Sequence, residues 1–247
     1  MLLRRKFQRL TTDYFAALKE PRRPWLEAET LKRRFLALSA EIHPDRVHNQ
    51  STQEKESAHR RYLEVHAAYE CLREPKTRLR HLLELEQGGR LREVDTVPPD
   101  LLELFMDVSR VSRQVDAFLA ERDKMGSPLL KAQHFPRGLQ HERGVAALRS
   151  RIEARQEALL AELRAIDVTW SAAEGPGSVG RGPPEDPPHG GGPEQAAFLA
   201  GTARMGGGSK AHESLRSRLE EMYRLFSYFA RWTGQLAEQQ FQLVSKE

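Results

Sequence analysis

Three consecutive residues, His43, Pro44 and Asp45, are the part of the sequence best suited to a specific chemical role. Pro44 fixes its own φ angle and restricts the residue before it, so the tripeptide is rigid. A carboxylate held on such a backbone can accept two parallel hydrogen bonds from one arginine of a partner. We therefore predict that Asp45 is an exposed arginine acceptor. The alternative is a helix-breaking turn with no binding role.

Two amphipathic helices flank the tripeptide. The first is predicted over residues 27–42, with apolar residues at steps of four, three and four: Leu31, Phe35, Leu38 and Ile42. The second is predicted over residues 53–73, with a matching stripe: Ala58, Tyr62, Val65, Tyr69 and Leu72. Two such helices joined by a short polar connector pair as an antiparallel hairpin, which places the tripeptide at the hairpin tip.

Local signals on both sides extend this hairpin into a helical domain over residues 11–90. Asp13 is a suitable N-cap for a short first helix. Pro75 can begin a further helix, and Gly88 can end it. The preceding residues 1–10 form a basic tail without acidic residues.

A three-helix antiparallel bundle is predicted for residues 95–170 together with 213–247. Its first helix begins at Pro98-Pro99-Asp100 and runs to about Lys124. Glycines and prolines predict a loop over residues 125–142 before the second helix. The predicted fold class is therefore all-α, with the hairpin domain first and the bundle second.

Residues 171–212 interrupt the bundle between its second and third helices. This segment holds 11 Gly and 6 Pro in 42 positions. It cannot bury enough apolar surface to offset the loss of chain entropy on folding, so we predict a disordered insertion. The cost of closing a loop grows only with the logarithm of its length, so a bundle tolerates such an insertion.

Four N-terminal segments resemble the J-domain family in residue type and spacing: Asp13-Tyr14-Phe15, Leu31-Lys32-Arg33-Arg34-Phe35, His43-Pro44-Asp45-Arg46 and the region of Tyr69. The resemblance implies a co-chaperone that stimulates the ATPase of a DnaK/HscA-class chaperone and is not itself an enzyme. It further implies that six residues bind that chaperone: Lys32, Arg33, His43, Pro44, Asp45 and Arg46. The sequence departs from many J-domains at Glu41, where Lys or Arg is usual.

The order of the two domains resembles one branch of J-proteins, the iron–sulfur co-chaperone HscB family, called Jac-type in mitochondria. This resemblance implies delivery of an IscU-type scaffold protein, bound by an apolar and acidic patch on the first bundle helix. Leu102, Met106 and Asp107 match that patch. Glu103 stands where a hydrophobic residue is usual, and Arg110 stands where an acid is usual. Four nearby residues are interpreted as bundle core instead: Leu101, Leu104, Phe105 and Val108.

The net charge is unevenly distributed. It is +4 for the whole chain, whereas residues 1–90 hold 19 Lys+Arg and 13 Asp+Glu, which gives +6. This surplus favours an acidic partner surface and is modest for a nucleic-acid-binding protein. Two alternatives to the HscB-like interpretation stay open: a J-domain adaptor for a different client, and a helical protein that binds nucleic acid.

Cysteine content and hydropathy bound the remaining functional classes. The single cysteine, Cys71, excludes an internal disulfide framework and a multi-cysteine metal site, so no metal or other cofactor is expected. No apolar run approaches the ~20 residues of a membrane span. The expected location is the cytoplasm. The mitochondrial matrix is the alternative, because the basic start is compatible with a short transit-like leader.

Overall fold

The structure is a computed structural model that describes residues 12–43, 51–91, 96–174 and 205–245. Every regular element in these ranges is helical, so the predicted all-α fold class is confirmed. No helix within them is both long and apolar enough to cross a membrane. The chain forms two compact units: Met1–Leu91 with Leu163–Glu221, and Arg92–Glu162 with Met222–Glu247.

The N-terminal unit begins with the short helix α1, Tyr14–Ala17. Asp13 is its N-cap, as predicted, and one carboxylate oxygen accepts the amide protons of Phe15 and Ala16 at 3.0 and 3.2 Å. The other oxygen accepts two bonds from Arg22 at 2.9 and 2.7 Å. The cap therefore also ties the start of α1 to the loop that follows it.

Helices α2, Ala28–Glu41, and α3, Thr52–Arg73, pack together as the predicted hairpin. A capping box starts α3, because the Ser51 hydroxyl accepts from the Glu54 amide while the Glu54 carboxylate accepts from the Ser51 amide. The predicted apolar stripes face each other, and their most buried members are Leu31, Leu38, Val65 and Leu72.

Helix α4, Pro75–Gln87, follows the hairpin and packs against α3. Pro75 occupies its first turn, and Gly88 ends it with a φ of +64°, a conformation that glycine adopts without steric cost. Both ends therefore follow the prediction. Leu79, Leu82 and Leu83 are fully buried, which explains why this helix packs against the hairpin.

Residues 18–27, the α1–α2 loop, are held by cation–aromatic and backbone contacts. The Trp25 ring lies between two guanidinium groups, at 4.3 Å from Arg164 and 5.6 Å from Arg78. Arg78 is almost fully buried, and it donates hydrogen bonds to the Pro24 and Leu72 carbonyls at 2.9 Å each. Backbone carbonyls that would otherwise lack partners inside the unit are thereby satisfied.

The end of the long helix α6, Pro128–Glu174, belongs to the same unit and binds the same loop. The buried carboxylate of Asp167 accepts hydrogen bonds from the Arg23 guanidinium and from the Trp25 amide, the latter at 3.2 Å. The fully buried Trp170 donates from its indole nitrogen to the Arg22 carbonyl at 3.2 Å. The last turns of α6 are therefore part of the packing around the loop.

This division of the chain differs from the boundaries drawn from the sequence. Residues 163–170 and 213–221, which were assigned to the bundle, group with the N-terminal hairpin. The reason is that α6 carries Asp167 and Trp170, whose side chains form hydrogen bonds with the α1–α2 loop. The proposed domain limits 11–90, 95–170 and 213–247 stay predictions.

The C-terminal unit is a three-helix bundle with up–down–up topology. A 3-10 turn, Pro99–Leu101, leads into α5, Leu102–Asp123. Parts of α6 and of α7, Met205–Ser245, complete the bundle. Helix α6 runs antiparallel to α5, because Arg151 reaches Asp107 while Arg137 reaches Glu121.

Polar contacts fix the register between α5 and α7. The Ser112 hydroxyl is buried, donates to Gln239 and accepts from Gln235. Further along, the Arg122 guanidinium donates to the Gln242 and Leu243 carbonyls at 2.8 and 3.1 Å. A cation at these carbonyls satisfies acceptors at the end of α7 that have no partner within the helix.

The prediction of a loop over residues 125–142 is wrong, because α6 begins at Pro128 and continues through Pro136. Contacts with α5 explain why the helix persists despite these residues. Gly138 lies so close to the Phe118 ring that an added Cβ would stand 3.4 Å from it. Arg137 pairs with Glu121 at 3.1 Å, so tertiary contacts outweigh the local propensity for a turn.

The predicted insertion is helical at both of its margins. Residues 171–174 continue α6, and residues 205–212 belong to α7. The anchoring of Trp170 explains the first extension, since a helix whose last core residue is fully buried gains a further turn at little cost. The remainder of the predicted insertion, residues 175–204, lies outside the described residues, as does the basic tail over residues 1–10.

The Asp167 contacts yield a prediction about folding stability. Replacement of Asp167 by Asn removes the charge that Arg23 binds, so the free energy of unfolding should fall by about 1–3 kcal/mol. Chemical denaturation followed by circular dichroism measures the change. The matched control is Glu157→Gln, an exposed acid on the same helix, which should change the value by less than about 0.5 kcal/mol. Equal effects of the two substitutions would contradict this account.

His81 on α4 is a second buried polar group with an assigned partner. Its Nε2 accepts the Tyr14 amide proton at 3.0 Å, and its ring lies 5.7 Å from that of Phe15. Burial lowers the pKa of His81, while the carboxylates of Asp13 and Glu84 oppose that shift. The folded protein therefore favours the neutral imidazole, which is the form that can accept a hydrogen bond.

This arrangement predicts a loss of stability in mild acid. Because the unfolded chain binds a proton at His81 near its ordinary pKa of about 6.5 and the folded chain does so only at lower pH, acid favours unfolding. The contribution is complete above that value and is lost as the pH falls towards the folded-state pKa. His81→Gln keeps an acceptor that does not titrate, so the denaturation midpoint should depend less on pH. An unchanged slope between about pH 7.5 and pH 5 would refute this.

Candidate functional site

The end of the hairpin is built from aromatic rings that lead towards the tripeptide. His43 lies edge-on to Tyr62 with ring centroids 5.8 Å apart, and Tyr62 is 4.4 Å from His66. Phe35 stacks on Tyr69 at 4.2 Å and meets His66 edge-on at 4.8 Å. These five rings, the hairpin rings, join α2 to α3 and hold the backbone just before Pro44. The sequence indicated four of them, but the place of His66 was missed.

The outward face of α2 carries the predicted cations. Lys32 and Arg33 are exposed, as their position off the apolar stripe predicts. Arg33 donates to the Thr30 hydroxyl of its own helix at 3.3 Å. Leu36, one turn after Lys32, is 55% exposed on the same face. Leu36 was not predicted to belong to this face, although its spacing from Lys32 and its position off the buried stripe indicate it.

Three of the predicted chaperone-binding residues, Pro44, Asp45 and Arg46, lie outside the described residues. The structure describes their flanks instead. His43 follows the C-cap residue Ile42, and Ser51 opens α3. The assignment of the tripeptide to an exposed tip thus stays a prediction, with both helices that carry it in place.

The predicted client-binding residues begin with two exposed apolar side chains on α5. Leu102 and Met106 are 55% and 56% exposed, and their spacing of four residues places them side by side. We call this pair the apolar ridge. It is distinct from the opposite face of the helix, where the residues interpreted as core are buried: Leu101, Leu104 and Val108. Phe105 is half-buried and lies near Trp232.

Asp107 lies next to the ridge, but its carboxylate is already engaged. One oxygen pairs with Arg110 at 2.6 Å, and the other pairs with Arg151 of α6 at 2.7 Å. The hydrogen bond from Arg151 and the charge of both guanidinium groups hold the pKa of Asp107 below its usual range. The third predicted client residue is therefore an ionised acid with a cation on each oxygen.

Glu103 lies at the edge of α5 that faces α6. Its side chain is 89% exposed, with one oxygen 3.9 Å from Arg151. Arg151 thus pairs with two acids of α5, and the side chains of Glu103 and Arg151 line a shallow cleft between α5 and α6. This exposed acid is the residue that departs from the expected hydrophobic character of the patch.

Among the described residues, neither Cys71 nor the histidines show an arrangement suited to nucleophilic or metal chemistry. Burial raises the pKa of the Cys71 thiol to about 11, so the thiolate that such reactions need is disfavoured. In the part of the chain that the structure describes, no three His, Cys, Asp or Glu side chains form a group that could hold a metal ion. The expectation of no metal and no cofactor stays a prediction.

Comparison with known proteins gives one curated relative of similar sequence. The chain is 33% identical over 96 residues to a co-chaperone protein HscB homolog of Chromobacterium violaceum. The match covers 38% of this chain and 55% of the relative, so the chain spans about half the length of the curated relative it matches. No protein-family model matches the sequence.

Solved structures extend the likeness to the fold. Chaperone HscB from Vibrio cholerae superposes with a TM-score of 0.54 at 14% identity, over 94% of this chain and all of that chain. Human co-chaperone protein HscB gives 0.44 at 17% identity, over 88% and 83%. The chain therefore resembles HscB-type co-chaperones, in sequence over the matched 96 residues and in fold over most of its length.

Proposed function

We propose that this chain is a J-domain co-chaperone that stimulates the ATPase of a DnaK/HscA-class chaperone and delivers an IscU-type scaffold protein. The observation that carries the proposal is the position of His43-Pro44-Asp45 directly after α2, which is joined to α3 by the stacked rings of Phe35 and Tyr69 and by the edge-on contact of His43 with Tyr62. The sequence likeness to an HscB homolog supports the same class of function.

The proposed mechanism is binding, without a reaction on this chain. Asp45 accepts the two donors of a chaperone arginine, and Pro44 keeps the carboxylate in place so that little entropy is lost on binding. A co-chaperone that binds the hydrolysis-competent state of its partner more tightly than the resting state raises the population of the competent state. The edge-on contact of His43 with Tyr62 supports this, because it connects the first residue of the tripeptide to α3.

The outward face of α2 is the proposed docking surface beside the tip. Lys32 and Arg33 provide positive charge for an acidic chaperone surface, and Arg46 is proposed to extend it. Leu36 adds exposed apolar area at the same place. An apolar centre with a charged rim is a common arrangement in protein interfaces.

The apolar ridge is the proposed client site. Leu102 and Met106 are exposed although α5 is packed in the bundle, so a partner can bury their apolar surface. Asp107 is proposed to act there as part of an ion-pair group with Arg110 and Arg151. The proposed location is the cytoplasm, with the mitochondrial matrix as the alternative.

The same ion pairs favour a second candidate, a J-domain adaptor for a different client. Arg110 introduces a cation where the HscB pattern has an acid, and it neutralises Asp107. A scaffold that needs a free acid at that position would bind weakly. In the adaptor case the hairpin tip stimulates the chaperone as proposed above, while the apolar ridge binds a different client protein.

Asp45→Asn should abolish most of the chaperone stimulation. The neutral amide cannot replace a charged pair with arginine, a loss of about 1.5–3 kcal/mol, or roughly ten- to hundredfold in half-maximal concentration. Single-turnover ATP hydrolysis by the chaperone, with and without the variant, measures the effect. Melting should match wild type. Glu157→Gln, an exposed acid on α6, is the control and should stimulate normally. Full stimulation by Asp45→Asn would refute the J-domain assignment.

The double substitution Leu102→Ala with Met106→Ala separates client binding from chaperone stimulation. If the ridge is a binding centre, the free energy of scaffold binding should become less favourable by more than about 2 kcal/mol in a calorimetric titration. Because both side chains are exposed, melting should hardly change. The control Leu104→Ala removes a buried side chain two positions from each of them and should cost about 2–5 kcal/mol of stability. Scaffold binding equal to wild type would exclude the ridge.

A further inference from the structure

The exposed face of α5 changes character along its length. Leu102, Met106, Arg110 and Arg113 follow one another at steps of four, four and three, so they share one face of the helix. The first two are the apolar ridge. The next two are exposed arginines, and we call them the cationic extension.

Both arginines of this face keep hydrogen-bond donors that no carboxylate among the described residues occupies. Arg113 donates from Nε to the Ser109 carbonyl of its own helix at 3.1 Å, and its terminal nitrogens meet no carboxylate among the described residues. Arg110 is 64% exposed while it binds Asp107, so it retains donors that face solvent. Arg151 binds the second oxygen of Asp107, so both oxygens of that carboxylate already have a cationic partner.

We infer that the ridge and the cationic extension together form one docking surface for an acidic protein partner. The partner presents an apolar contact for Leu102 and Met106, with carboxylates about 6 and 10 Å further along the helix axis, opposite Arg110 and Arg113. This inference rests on the client-binding part of the proposed function, and it specifies the chemistry of the client.

Charge complementarity decides between this partner and its competitors. A basic partner would meet two exposed guanidinium groups and an Asp107 that is already paired, so its approach is disfavoured. A membrane surface is disfavoured because a helix that lies on lipid needs a broad apolar face, whereas this face offers two apolar side chains beside the exposed Glu103.

Association kinetics with the purified IscU-type scaffold provide the test. Arg113→Glu is the main variant, since this side chain has no ion pair to lose. The control Arg143→Glu reverses an exposed arginine on α6. At about 50 mM salt the association rate constant should fall about tenfold for Arg113→Glu and stay near wild type for Arg143→Glu. The wild-type rate should fall at about 300 mM salt, and the difference between variants should shrink.

The outcomes separate this inference from the co-chaperone function. Equal or faster association of Arg113→Glu overturns it, as does competition by phosphatidylserine vesicles or the absence of any wild-type binding to the scaffold. ATPase stimulation by the wild-type chain is measured in parallel. If the scaffold binds with the expected charge dependence but the chaperone is not stimulated, this inference stands and the proposed co-chaperone function fails. If stimulation is present without scaffold binding, the reverse holds.

Discussion

The N-terminal unit depends on one buried carboxylate. Asp167 receives the Arg23 guanidinium and the Trp25 amide, which lie 144 and 142 positions earlier in the chain. A buried carboxylate without such donors is strongly destabilising, so these bonds compensate for the burial of Asp167 and join the α1–α2 loop to α6. The loop also buries apolar side chains of its own. The Trp25 ring adds contacts with the guanidinium groups of Arg164 and Arg78.

The hairpin follows this loop in the chain. Helix α2 begins where the loop ends, so the contacts that hold the loop fix the start of α2 and with it both the buried stripe and the outward face. The inward side carries the hairpin rings, and the outward side carries Lys32, Arg33 and Leu36. The stacking of Phe35 on Tyr69 uses a side chain of the stripe itself. One face of α2 thus packs against α3, and the opposite face presents side chains to solvent.

Helical periodicity allowed the sequence to predict most helices, because a stripe of apolar residues and a cap are local signals. Asp13 and Gly88 were correctly predicted for this reason. Pro136 led to the wrong prediction of a loop, because the helix around it is stabilised by contacts with α5 that cannot be read from local propensity. Asp167 was missed for a similar reason: an acid near the end of an amphipathic helix gives no sign that it is buried. The exposure of Leu102 and Met106 could be predicted, whereas the pairing of Asp107 required α6 in three dimensions.

The surface charge of α5 shows why residue types alone do not define a binding site. Read along the chain, Glu103 and Asp107 make the start of the helix acidic. In the fold, Arg151 crosses from α6 to both acids, and Arg110 completes the pairing of Asp107. What a partner meets is then the residual charge after internal pairing: the two acids are balanced by Arg110 and Arg151, so the surplus positive charge comes from Arg113 of the cationic extension. Because charges on a rim affect partner choice more than they affect folding, a single substitution such as an arginine at position 110 can change the client while the bundle keeps its structure.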